Sequence, residues 1–76
     1  MNKLRDKKLL LSFGDHIRNL RKENGWTIEL LAIEADVEIS QIYRIEKGLV
    51  NPTLSTLNSL AKSFNISLSD LLNFKQ

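Results

Sequence analysis

His16 is the single imidazole in a 76-residue chain that has no cysteine, so the side chains that most often carry catalysis are nearly absent. One imidazole cannot build a multi-histidine metal cluster, and no thiol is present to act as nucleophile, metal ligand or disulfide half. No motif fixes a serine to His16, there is no phosphate-binding P-loop, and the carboxylates are scattered rather than paired for acid–base work. An enzyme is therefore not expected, and neither is a metal, a cofactor or a small-molecule ligand; His16 is expected on the exposed side of a helix. The chemistry that remains is hydrogen bonding and charge pairing. Ser40, Gln41, Tyr43 and Arg44 concentrate it within one short segment, and the planar fork of Arg44 suits paired acceptors.

Such a cluster needs a rigid frame, and the apolar spacing describes one. Leu10, Phe13, Ile17 and Leu20 recur at helical intervals, and Asn24-Gly25 ends that helix through a left-handed glycine. Thr27 caps a second, short helix carrying Leu31, Ala32 and Ala35, with Glu29 near its positive end. Asp36-Val37-Glu38 interrupts the pattern before a third helix with Ile42 and Ile45 facing inward, which Gly48 stops. After a loop from Leu49 to Pro52, Thr53 caps a fourth helix with Leu54, Leu57, Leu60, Ala61 and Phe64 on its buried face, and Asn65 ends it. Ser67 and Asp70 form a capping box for a short last helix with Leu68, Leu71, Leu72 and Phe74. No segment alternates in the manner of a strand. The expected fold is all-α: a flexible basic tail over residues 1–7, then one compact five-helix domain over 8–76.

A chain this short buries only about 60% of its unfolded surface, which excludes a second domain and a large enclosed cavity. The formal charge of +2 is unevenly spread. Residues 1–24 carry +4, residues 25–46 carry −4, and residues 47–76 carry +2. A cationic start can meet phosphates, acidic proteins or an anionic surface. No apolar run, Leu9-Leu10-Leu11 included, comes near the ~18 residues of a membrane span, and no secretory leader is visible, so a cytoplasmic location without membrane contact is expected.

Second and third helices joined by three residues must cross steeply, which is a helix-turn-helix arrangement. The residues match a family as well. Ile17-Arg18-Asn19-Leu20-Arg21, Gly25-Trp26-Thr27, Leu31-Ala32, Val37 and Ile42-Tyr43-Arg44-Ile45-Glu46-Lys47-Gly48 resemble the xenobiotic-response-element or Cro/phage-repressor type of helix-turn-helix protein. Pro52, Thr56-Leu57, Leu60-Ala61 and Asp70-Leu71-Leu72 continue the match, which covers roughly residues 9–73.

The resemblance implies a lambda-repressor-like fold and a bacterial or phage transcription regulator, probing double-stranded DNA with its third helix in the major groove. It places Ile39, Ser40, Tyr43 and Arg44 at base-facing positions, and Gln41 is long enough to reach the DNA as well. Arg44 can pair with guanine O6 and N7, and Ile39 can pack on a thymine methyl. Phosphate contacts are expected from Thr27, Arg18, Arg21, Lys22, Lys47, Asn51 and Thr53. The tail residues Lys3, Arg5, Lys7 and Lys8 offer an arm along a groove. Arg21 and Glu46 occupy positions that the family pairs in a salt bridge between the first and third helices. Where the family often carries glutamine, glycine and serine, this chain has Ile28, Asp36 and Glu38.

A single unit reads few base pairs, so a homodimer on a palindromic operator is expected, with Leu68, Leu71, Leu72 and Phe74 supplying the dimer surface alongside Leu49 or Val50. Regulation as a repressor or autoregulator would then follow from protein concentration or a protein partner. The acidic middle segment supports a second reading, a protein-interaction module (an antitoxin-like or adaptor domain) on the same fold.

Overall fold

The computed structural model describes residues 6–76. Five helices follow one another: α1 (Lys7–Glu23), α2 (Ile28–Ala35), α3 (Ile39–Glu46), α4 (Leu54–Ser63) and α5 (Leu68–Leu71), with no strand among the described residues. The all-α, five-helix expectation is met. Asp6 and Lys7, counted with the basic tail in the sequence, cap and open α1; residues 1–5, including Lys3 and Arg5, lie outside the described residues.

The first four helices end by a common device. Gly25, Asp36, Gly48 and Asn65 all take positive φ, between 56° and 72°. In each case the next residue's amide reaches back to a carbonyl five residues earlier: Trp26 to Arg21, Val37 to Ala32, Leu49 to Arg44, and Ile66 to Ala61. These are Schellman closures, which satisfy carbonyls that the helix leaves without partners. Asp36 takes the left-handed turn that glycine would enter at less cost. At the other ends, the side chains of Asp6, Thr27, Thr53 and Ser67 accept from the amides of Leu9, Leu30, Thr56 and Asp70. Glu38 occupies the same position before α3 and makes no such bond.

Burial draws these pieces together. Ile17 from α1, Leu31 from α2, Ile42 and Ile45 from α3, Leu60 from α4 and Leu71 from α5 have essentially no exposed surface. Around this centre α1 packs on α3, α2 on both α3 and α4, and α4 on α5. Trp26 stacks on Phe64 at 5.7 Å, tying the link before α2 to the end of α4.

Three expectations need correction. Leu54 keeps 67% of its surface exposed, while Leu57 in the same turn of α4 packs against the core. His16 is half-buried rather than exposed: Phe74 folds back over α1 and stacks on its ring at 5.3 Å, and His16 Nε2 is buried without a hydrogen-bond partner. Leu71 lies wholly inside the monomer, so it is not available to a dimer surface; Leu68 and Phe74 also pack against the core, and Leu72 alone of the four is exposed.

Candidate nucleic-acid interface

The reading unit is built from α2, the turn and α3. Ala32 is almost fully buried beneath the turn, and its carbonyl receives the Val37 amide at 3.0 Å, so α2 is closed and α3 begins within three residues. Val37 packs against the core between the two helices, and Ile42 and Ile45 seal the inner side of α3. What is left outside is the opposite face. Ile39 and Tyr43 are about half exposed, Ser40 and Arg44 are exposed, and Gln41 is half-buried. An open groove runs between this face and the start of α2, lined by Thr27, Ile28, Glu29, Glu38, Ile39, Ser40 and Tyr43 with Arg21 beside them. The first amides of α2 have no carbonyl partner within that helix, which favours an anion beside them. Ile28 lines the groove as an apolar wall.

The far end of α3 is held by α1. Arg21 donates from Nε to Glu46 Oε2 at 2.6 Å and from Nη2 to Glu46 Oε1 at 2.9 Å. Its remaining terminal nitrogen donates to the Trp26 carbonyl at 3.0 Å. The hydrogen bonds to Glu46 outweigh the opposing effect of burial and raise the Arg21 pKa above the ordinary arginine value. Arg18 donates from Nη1 to Asp15 Oδ1 at 2.9 Å and from Nη2 to the backbone carbonyl of Glu46 at 3.0 Å. Both arginines are therefore turned toward α3 rather than outward.

The other cations and hydroxyls are dispersed. Lys22 is exposed on the last turn of α1. Lys47 is exposed just past α3, with Nζ 5.6 Å from the centre of the Tyr43 ring. The Thr53 hydroxyl accepts from the Thr56 amide and donates to the Thr56 hydroxyl. Asn51 lines a different, apolar groove with Leu9, Leu10, Phe13, Leu57, Leu72 and Phe74. The structure thus gathers Thr27, Ile39, Ser40 and Tyr43 around one groove and places Asn51 away from it.

Sequence reasoning missed Gly14. A Cβ on Gly14 would lie 2.5 Å from the Glu46 carbonyl oxygen and 2.6 Å from that of Ile45. Only a bare Cα lets α1 approach the end of α3 so closely. Leu11, Gly14, Arg18 and Arg21 recur at helical spacing beside the apolar stripe, and that was the available signal; it was silent because glycine and arginine do not register as packing residues.

An exposed, half-polar helix presented across a three-residue turn, braced from behind by a buried ion pair, defines a helix-turn-helix protein. The helix-turn-helix family model HTH_3 matches residues 17–71, and the chain belongs to that family. It is 36% identical over 58 residues to the HTH-type transcriptional regulator DdrOP3 of Deinococcus deserti, a match covering 76% of this chain and 45% of that protein. It is 32% identical over 65 residues to the control protein C.BamHI of Bacillus amyloliquefaciens, covering 84% of this chain and 80% of that one. Among solved structures, the restriction-modification controller protein C.AhdI of Aeromonas hydrophila superposes with a TM-score of 0.79 at 31% identity, covering 82% of this chain and 94% of that one. No described helix is long and apolar enough to cross a membrane.

Proposed function

We propose that this chain is a sequence-specific transcription regulator, acting as a repressor or autoregulator, which binds a palindromic operator as a homodimer. The observation that carries this reading is the division of α3: Ile42 and Ile45 are buried, whereas Ile39, Ser40, Tyr43 and Arg44 line an outer face beside the capped start of α2. Such a face suits the major groove, with side chains reaching base edges while Thr27 and the α2 amides take a phosphate. Lys22 and Lys47 are the exposed cations that would add backbone contacts. Family membership and regulator relatives support the same reading.

Enrichment of random DNA by the purified chain tests it. The expected product is an inverted repeat with half-sites about 34 Å apart. No recovered motif, together with no shift of any DNA at low salt, would overturn it. The exposed carboxylates of Glu29, Glu34, Asp36 and Glu38 favour a second reading, a protein-interaction module, which that outcome would establish as the better one. Salt also separates the two, because several phosphate contacts make DNA affinity fall steeply with ionic strength.

A further inference from the structure

We propose that Gly14 and Arg18 are positioning residues for α3, with Arg18 acting on the Glu46 backbone carbonyl rather than on a DNA phosphate. The effect on DNA rests on the functional reading above; the docking itself does not. Three observations carry it. The Glu46 carbonyl, at the end of α3, receives Arg18 Nη2 at 3.0 Å, while the same residue's carboxylate is gripped by Arg21. Gly14, one helical turn before Arg18 on α1, brings backbone against that same carbonyl, where a Cβ would stand at 2.5 Å. Leu11, a further turn back, lies against Gly48, so that a Cβ on Gly48 would meet Leu11 Cα at 3.0 Å. One stripe of α1 therefore meets the last turn of α3 and its terminating glycine without a gap.

The electrostatics agree with this assignment. Arg18 shares its charge with Asp15 at 2.9 Å, and two of its nitrogens already have acceptors. Those two contacts, with Arg18 Nε 3.8 Å from Glu46 Oε1, hold the guanidinium against the end of α3, and a phosphate could take only the N–H groups they leave. A cation at a helix C-terminus also meets carbonyls that the helix leaves unsatisfied, so Arg18 helps close α3. Loss of the Arg18 contact, or a methyl inserted at position 14, frees or tilts the end of α3 and moves the residues that read DNA.

The test compares the wild-type chain with Arg18→Gln and Gly14→Ala, measuring affinity for the enriched operator across a salt series and the amide resonances of each free protein. Removing a phosphate ligand would reduce the slope of log affinity against log salt by about one. The positioning role predicts that Arg18→Gln lowers operator affinity about tenfold with the slope unchanged. It also predicts shifted resonances at Tyr43 and Ser40, three and six residues before Glu46. Gly14→Ala, which alters no charge, is expected to reproduce both effects if it folds; Arg18→Gln decides the matter if it does not. A slope reduced by about one, or unmoved resonances at Ser40 and Tyr43, would overturn the proposal. Should the wild-type chain bind no DNA, the functional reading falls, and the resonances alone decide whether α1 sets α3.

Discussion

Arg21 and Glu46 stand 25 residues apart in sequence and meet through two hydrogen bonds, Nε to Oε2 at 2.6 Å and Nη2 to Oε1 at 2.9 Å. Glu46 is the one charged residue buried among those described, and Arg21 keeps only 12% of its side-chain surface. A two-pronged pair in that setting fixes both the distance and the rotation between α1 and α3. It also occupies the guanidinium, because the third nitrogen is bound to the Trp26 carbonyl. One N–H remains on each terminal nitrogen, but with so little of the side chain exposed the phosphate contact that the family resemblance implies for Arg21 is left little access.

Breaking this pair from one side is expected to be costly. Glu46→Ala leaves the largely buried Arg21 without its carboxylate and should lower stability in urea by about 3 kcal/mol. Arg21→Ala leaves the buried carboxylate with Arg18 Nε at 3.8 Å as its remaining cation and should cost a similar amount. The double variant should lose less than the sum, since no charge is stranded; strict additivity would show that the pair is uncoupled. The pH behaviour follows from the sign of the shift. Arg21 has a raised pKa in the folded chain, so its contribution is complete below the ordinary arginine value and is lost only as pH climbs through the raised one. Between neutrality and mild alkali this contribution should stay flat.

Of Leu68, Leu71, Leu72 and Phe74, Leu72 is the one the fold leaves exposed, at 45%, in the apolar groove with Leu9, Pro52 and Phe74; Leu49, expected beside them, is 52% exposed. Leu72→Glu should therefore dissociate a dimer with little effect on the folded monomer, since surface changes typically move stability by about 0.5 kcal/mol or less. Sedimentation across a concentration series reads the outcome. A wild-type chain that stays monomeric at high micromolar concentration would remove the dimer, and an unchanged dimer in the variant would move the interface elsewhere.

The legible parts of this fold were those written in periodicity and in caps. Leu10, Phe13 and Ile17 announced α1, and Thr27, Thr53 and Ser67 announced three helix starts, because a side chain that satisfies a free amide has few substitutes. Asp36 was legible through the family resemblance, since it stands where the family often has glycine, and it takes the left-handed conformation that such a position asks for, at φ 56°. Gly14 was not legible, because its importance comes from a carbonyl 32 residues away, and nothing local marks a missing Cβ as contact. His16 and Phe74 went astray for a related reason: a ring near the chain end folds back onto α1, and spacing within one helix says nothing of that.

Arg44 is exposed on the outer face of α3, with Glu38 and Ser40 toward the start of the same helix. If its guanidinium reads a guanine edge, Arg44→Ala should relax the operator preference at one position at a cost of about 1–3 kcal/mol. Repeating the random-DNA enrichment with the variant checks this. An unchanged motif with uniformly weaker binding would assign Arg44 to phosphate instead.

Glu38 offers the sharpest separation of stability from recognition, because the same side chain sits at the N-cap of α3 and in the groove that would face DNA. Every other N-cap side chain among the described helices accepts from the amide three residues on, and that of Glu38 does not. The Gln41 amide donates to the Glu38 carbonyl at 3.0 Å; Glu38→Ser would offer it a hydroxyl acceptor as well and should stabilise the fold by up to about 1 kcal/mol. It also removes a negative charge from a surface meant to approach phosphates, so operator affinity should rise, most visibly at low salt. Thermal unfolding and binding read the two effects independently. If stability rises while affinity falls and a cytosine preference disappears from the enriched motif, then Glu38 is itself a base-reading residue, accepting from cytosine N4, and its charge is retained at the expense of a cap.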